Sequence, residues 1–311
     1  GTPRGSPPRL ATFTHPTFRY NTDARSVSFA FTLCEMAFRI PTQNDVPSTG
    51  FWGAATAVHQ FCEPKYKTSH YVAEFYNSLS SFVYVFAAVY VLSRREARAD
   101  PMIVINALAV TIIGLGSVAF HGTMLFEFEL CDEVPMLVYI SLAMLNKLGC
   151  HPMLLTRARC VVFASLVVSA CGLTIAVYAK YAVYEFFVAS FTALVLLDTA
   201  LALTWRSKQR VTTWAVYMSM ACILLGKILW ECEVRLCSTD GRVWPLHVVW
   251  HALSCAAAYY GLLADMAARI DCGLSPAVAG GETKVALRWA AVPFSEVHVV
   301  CAAEEEGSKA R

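Results

Sequence analysis

The sequence predicts an all-α membrane protein, a bundle of seven transmembrane helices with the N-terminus lumenal or extracellular and the C-terminus cytosolic. Three observations predict it. Of the 311 residues, 57% are hydrophobic and 15% charged, where a soluble domain carries about a quarter charged residues. Seven apolar runs of near-spanning length follow one another, and the arginines gather in alternate connections between them. Helices satisfy their own backbone groups in lipid, whereas a barrel needs alternating segments of about ten residues, a pattern the chain lacks.

Residues 1–50, rich in Pro, Thr, Ser and Arg, form an N-terminal extension, partly disordered or interfacial. Within it the apolar stretch from Val27 to Ile40, interrupted by Glu35, is too short to span and reads as an interfacial helix or a targeting remnant. The transmembrane domain covers 51–266. Its spans run approximately from Tyr71 to Leu92, Met102 to Phe120, Val134 to Leu148, Cys160 to Ala179, Val183 to Trp205, Trp214 to Trp230 and Leu246 to Met266. One set of connections carries Arg94, Arg95 and Arg98, then Lys147, Arg157 and Arg159, then Arg206, Lys208 and Arg210. The other set, 122–133, 180–182 and 231–245, is acidic or weakly basic, so the first set faces the cytosol. Residues 267–311, with Gly280-Gly281 and the acids Glu304 to Glu306, read as a partly disordered cytosolic tail.

A net charge of +2, with no basic block interleaved with aromatics, excludes nucleic acid as a partner. Most of the twelve cysteines, Cys160, Cys171, Cys222 and Cys255 among them, sit inside apolar runs, where Cys packs as a small hydrophobe. Only the flanking ones are disulfide candidates. Cys62 before the first span, with Cys232 and Cys237 before the last, all fall on the oxidising lumenal side, so Cys62 has two possible partners.

Ionisable groups inside spans are costly and mark function. Glu74 opens the first span, His121 closes the second, Asp132 and Glu133 open the third, and His247 and His251 open the seventh, all toward one membrane face. Asp198, deep in the fifth, has no account from sequence. His247 and His251, four apart, project from one helix face; with His121 they make a three-nitrogen zinc site with one position open for a catalytic water. Singly, each histidine would as readily snorkel or cap a helix end. Ser117, one turn before His121, is placed to donate to an oxyanion, although an isolated intramembrane serine more often packs helices or bonds its own backbone. Asp132, read as the start of a helix, suits either the proton of the attacking water or simple complementarity to the helix dipole.

These residues together resemble a known family. Ser117-Val-Ala-Phe-His121, then Asp132-Glu133-Val-Pro135-Met136, then His247-Val-Val-Trp250-His251 are similar to the motifs of a group of seven-span hydrolases that includes the progestin and adiponectin receptors. Cys62-Glu63 and Tyr71-Val-Ala-Glu74-Phe75-Tyr76-Asn77 narrow the resemblance, which covers approximately residues 50–266, to the alkaline ceramidases. The resemblance implies zinc on the three histidines, Asp132 and Ser117 as catalytic residues, and hydrolysis of the ceramide amide to sphingosine or a related long-chain base and fatty acid. It implies ceramide or another N-acyl sphingoid lipid, within membrane lipid, as partner, and the endoplasmic reticulum or Golgi as location. It places Trp250 on the substrate pocket, where position alone would equally suit a membrane-interface Trp, and favours Cys237 as the partner of Cys62.

One part of the family pattern is broken. Alkaline ceramidases bind calcium through an Asp-Trp-x-Glu-x-Asn run and a later Glu, whereas this chain has Gln60-Phe61-Cys62-Glu63-Pro64-Lys65 with Glu74 retained. The replaced Asp and Asn ligands make calcium binding doubtful. Lys65 is then expected to act as a tethered cation that neutralises Glu63 and Glu74. The competing functional reading is a progestin/adiponectin-type receptor with a structural or weakly hydrolytic zinc site; those receptors have the opposite topology to the one the arginines indicate.

Overall fold

The computed structural model describes residues 49–205, 207 and 210–276, together with the backbone of 283–289 and 295–301. The interfacial segment expected from Val27 to Ile40, the acidic end of the tail, and Arg206 and Lys208 lie outside the described residues.

Among the described residues, seven long helices form the body. They are α1 (Phe75–Ser93), α2 (Pro101–Thr123), α3 (Phe126–Asn146), α4 (Arg157–Tyr181), α5 (Tyr184–Thr204), α6 (Arg210–Leu236) and α7 (Pro245–Asp271). Six are long and apolar enough to cross a membrane; α3 is not counted with them, since Glu127, Glu129, Asp132 and Glu133 fill its first half. The chain is accordingly that of a helical membrane protein. In the segment read as a tail, α7 continues to Asp271, and β1 (Thr283–Trp289) pairs antiparallel with β2 (Ser295–Cys301).

Local chemistry sets the helix ends. Asp100 caps α2 by accepting from the Met102 N–H, with Pro101 at the first helical position, where its missing N–H costs nothing. Met124 and Ala182 end α2 and α4 in the left-handed conformation, closing each last turn with a backbone hydrogen bond. The start of α1 is capped from a distance, because the Glu63 carboxylate accepts from the Tyr76 and Asn77 N–H groups at 2.8 Å each.

Of the helix boundaries that differ from the sequence expectation, two matter to the site. Helix α3 begins at Phe126, two turns before the apolar run, because Glu127 and Glu129 occupy a first turn where the dipole favours carboxylates. Asp132 is therefore inside a helix rather than at its N-terminus, and dipole complementarity does not explain it. Helix α6 runs past Trp230 to Leu236, its extra turns supported by Glu231 pairing with Lys227 and Arg235 at i,i+4 spacing.

Helices α2, α3 and α7 form the centre. A Cβ on Gly116 of α2 would lie 2.0 Å from the Cys131 carbonyl oxygen of α3, so glycine is what lets these backbones touch. Only 11% of the apolar window of α4 is buried, against 56% for α2, leaving Val161, Val162, Leu166 and Leu173 on the outer surface. Such a surface suits lipid. At the end of the bundle away from the histidines, Lys147 is buried rather than facing the cytosol. Its ammonium lies 2.8 Å from Asp198 and 3.1 Å from Asp265, and Asn146 donates to Asp265 at 2.7 Å. This accounts for Asp198, and it removes Lys147 from the positive surface count used to orient the chain.

Candidate metal centre and its cavity

His121 at the end of α2 and His247 and His251 on the first turns of α7 are all buried, and one ring nitrogen from each lies within 4.8 Å of the others. Proline at the start of α7 fixes where its first turn begins, and the four-residue spacing puts both imidazoles on one face. An acceptor stands behind each ring, hydrogen-bonded at His121 and His251 and only near at His247. His121 Nδ1 is 2.6 Å from Glu74 Oε2, and His251 Nδ1 is 2.7 Å from Ser80 Oγ. The single Ser80 proton goes to the Asn77 carbonyl oxygen at 2.9 Å, so Ser80 accepts from the imidazole and the lone pair of His251 sits on Nε2. His247 Nδ1 lies 3.3 Å from Glu233 Oε2. This is the arrangement that orients metal-ligating histidines, each with an acceptor behind the nitrogen away from the metal.

The fit to a metal is visible in one atom. His121 Nε2 is fully buried and has no hydrogen-bond partner among the described residues, a costly state that a metal ion at the centre of the three rings relieves. Three neutral nitrogens from two helices suit zinc with a fourth position open.

Ser117 lies one turn from His121 on α2, beside the Gly116 contact that brings α2 against Asp132 of α3. Ser81 Oγ lies 2.9 Å from Ser117 Oγ and donates to the Asn77 carbonyl at 2.8 Å, which anchors this side of the centre to α1. Ser117, Asp132, His247, His251 and Trp250 all line one cavity of about 590 Å³. Its walls are mainly apolar, with Phe187, Phe191 and Val195 of α5 facing Met220, Ile223 and Trp230 of α6. Its far end carries Lys147, Asp198 and Asp265. From Asp132 to Lys147, α3 rises about 22 Å at 1.5 Å per residue. Leu196, Tyr217 and Leu224 line the cavity and are also exposed on the outer face, so it opens sideways between α5 and α6.

The segment before α1 closes over the histidines. Phe61 packs on His247 with ring centroids 3.8 Å apart, and His59 stacks on Tyr184 at 4.2 Å. Burial pushes the His59 imidazole down to about 3, so the ring stays neutral. Hydrogen bonds and a disulfide hold this strap. Glu129 accepts from the Val58 and His59 N–H groups, Glu233 accepts from the Cys62 N–H at 2.8 Å, and Cys62 forms a disulfide with Cys237 rather than Cys232. Within the strap, Lys65 Nζ lies 2.5 Å from Glu74 Oε1 but touches Glu63 only through its carbonyl oxygen, at 3.2 Å. The expected neutralisation of both carboxylates is thus corrected to Glu74 alone. Burial raises the Glu63 carboxyl, and the two N–H groups it caps oppose that shift.

Ser80, Ser81, Glu129 and Glu233 went unread in the sequence. Asn77 followed by serines at i+3 and i+4 was the available signal for the first two, both facing back toward the Asn77 turn. Glu233 was hidden by ending the sixth span at Trp230.

The profile of the family described as Ceramidase matches residues 53–276. Alkaline ceramidase 3 of Mus musculus is 25% identical over 240 residues, covering 72% of this chain and 88% of its own. The alkaline ceramidase of Arabidopsis thaliana is 28% identical over 223 residues, covering 65% of this chain and 80% of its own. Alkaline ceramidase YPC1 of Saccharomyces cerevisiae is 32% identical over 96 residues, 30% of each chain. With the family profile matched across most of its length, this chain belongs to the ceramidase family of enzymes.

Proposed function

We propose that the chain is a zinc-dependent lipid amidase that hydrolyses ceramide to a long-chain base such as sphingosine and a free fatty acid. The observation that carries it is the convergence of three buried imidazoles, held from behind, at the head of an apolar cavity that also presents Ser117 and Asp132. The relatives named as alkaline ceramidases bring ceramide as the substrate.

Zinc held by His121, His247 and His251 supplies Lewis acidity toward an amide carbonyl and toward water. Asp132 accepts the proton of the attacking water and returns it to the departing amine, so the carboxylate is regenerated. Ser117 donates its hydroxyl to the carbonyl oxygen as negative charge develops there. Glu74 and Ser80 keep two of the rings aimed. The cavity walls take the hydrocarbon chains, and Phe61 of the strap with Trp250 of α7 shields the reacting amide from bulk water.

We place α3 across the bilayer with the other six helices, its acids turned inward, and the metal centre toward the lumenal face of the endoplasmic reticulum or Golgi. The Cys62–Cys237 disulfide supports this side, since it needs an oxidising compartment. Fatty-acid release from ceramide by purified protein in detergent, alongside zinc content, tests the function. The parent is expected to hold about one zinc per chain and turn over, with both lost in His251→Ala. Zinc without turnover on any ceramide would favour the receptor-like alternative.

A further inference from the structure

Calcium is implied by the family resemblance, and the residues present do not fit it. Where the family pattern has calcium ligands, the Lys65 ammonium stands among three oxygens: the Phe61 carbonyl at 2.5 Å, the Glu63 carbonyl at 3.2 Å and Glu74 Oε1 at 2.5 Å. Two of its protons go to the backbone carbonyls, and Glu74 supplies the opposite charge. At the other positions of the family pattern the side-chain oxygens are committed elsewhere or turned away. The Glu63 carboxylate caps α1 through Tyr76 and Asn77, and Gln60 is exposed. Calcium takes six to eight oxygens, and this arrangement leaves it too few.

We propose that Lys65 is a built-in cation: its ammonium fills the oxygen cage in place of calcium and fixes Glu74, which in turn aims His121 at the metal centre. The chain of contacts is continuous. Glu74 is 0% exposed, and a carboxylate in that position needs a countercharge. Its Oε1 takes Lys65, while its Oε2 takes His121 Nδ1 at 2.6 Å and Asn77 Nδ2 at 3.0 Å. Lys65 is thus a positioning residue two bonds removed from the metal. A single positive charge supplied by the chain does locally what a dissociable ion would otherwise do, so occupancy does not depend on calcium concentration. The inference rests on His121 being a metal ligand, but not on the identity of the substrate.

The test uses full-length protein purified in detergent and exchanged into calcium-free buffer, with zinc content and unfolding midpoint as readouts. Calcium chloride in the millimolar range is expected to leave both unchanged in the wild type. Lys65→Met is expected to hold zinc about ten-fold more weakly or worse, the usual cost of losing a residue behind a ligand. Lys65→Asn, which returns an oxygen to the cage, is expected to regain zinc retention and midpoint when calcium is added. The proposal is overturned if calcium raises the wild-type midpoint, if it acts on Lys65→Asn no more than on the wild type, or if Lys65→Met retains zinc as the wild type does. Should Lys65→Met not fold, the wild-type calcium titration still decides. Neither readout involves ceramide, so failure of the amidase reading remains distinguishable.

Discussion

Ser117 and Asp132 line the same cavity, yet their removal is expected to have different effects. Ser117→Ala deletes a donor to the oxyanion and should lower kcat by about 10² to 10³ with little change in KM. Asp132→Asn removes the proton acceptor and should abolish the pH dependence that this group confers on kcat. A Ser117→Ala enzyme with unaltered kcat would leave the serine a packing role only. His59 makes a prediction of the opposite kind, about stability. Its folded value near 3 lies below the unfolded value of 6.5, so only the unfolded chain takes up a proton between them. The neutral ring therefore contributes stability in full above about pH 6.5, and that contribution is lost as pH falls toward 3. His59→Phe, which keeps a ring against Tyr184, should lose less of its unfolding midpoint than the parent on going from pH 7 to pH 5; equal slopes would assign the acid sensitivity elsewhere.

At the level of elements, the contact between α2 and α3 decides whether Ser117 and Asp132 meet. Gly116→Ala would drive a methyl into the Cys131 carbonyl, forcing the helices apart at the residue preceding Ser117. A loss of about 1 to 3 kcal/mol is expected from such overpacking, together with a fall in activity larger than the fall in folded fraction, measurable by thermal unfolding beside ceramide turnover. The seven helices and the three histidines were legible from sequence because hydropathy and the i,i+4 spacing are local properties. The start of α3 and the end of α6 were not, since both helices continue into polar sequence whose carboxylates are buried by other parts of the chain. Glu129 holds the strap at Val58 and His59, and Glu233 holds it at Cys62, partners 70 and 171 residues away or nearly so. No window of sequence reports a pairing at that distance. Lys65 was legible as a substitution in a family motif, but its contact with Glu74 rather than the Glu63 carboxylate required the fold.

Among the described residues, the helix bundle is closed at the histidine end and open at its flank. The strap, the disulfide across a sequence separation of 175 and the aromatic packing of Phe61 seal the first; the gap between α5 and α6 leaves the second facing the surroundings of the bundle. A doorway of that kind admits molecules from the surrounding hydrocarbon rather than from water. The enzyme would then sense its substrate as a surface density, the fraction of lipids in its own leaflet that are ceramide. Diluting ceramide with inert phospholipid in vesicles should slow turnover even when the bulk amount per millilitre is held constant. Adding more vesicles of the same composition should leave the rate per enzyme unchanged. Bulky side chains at the doorway, such as Leu224→Trp, should raise the apparent KM on that two-dimensional scale while sparing zinc content.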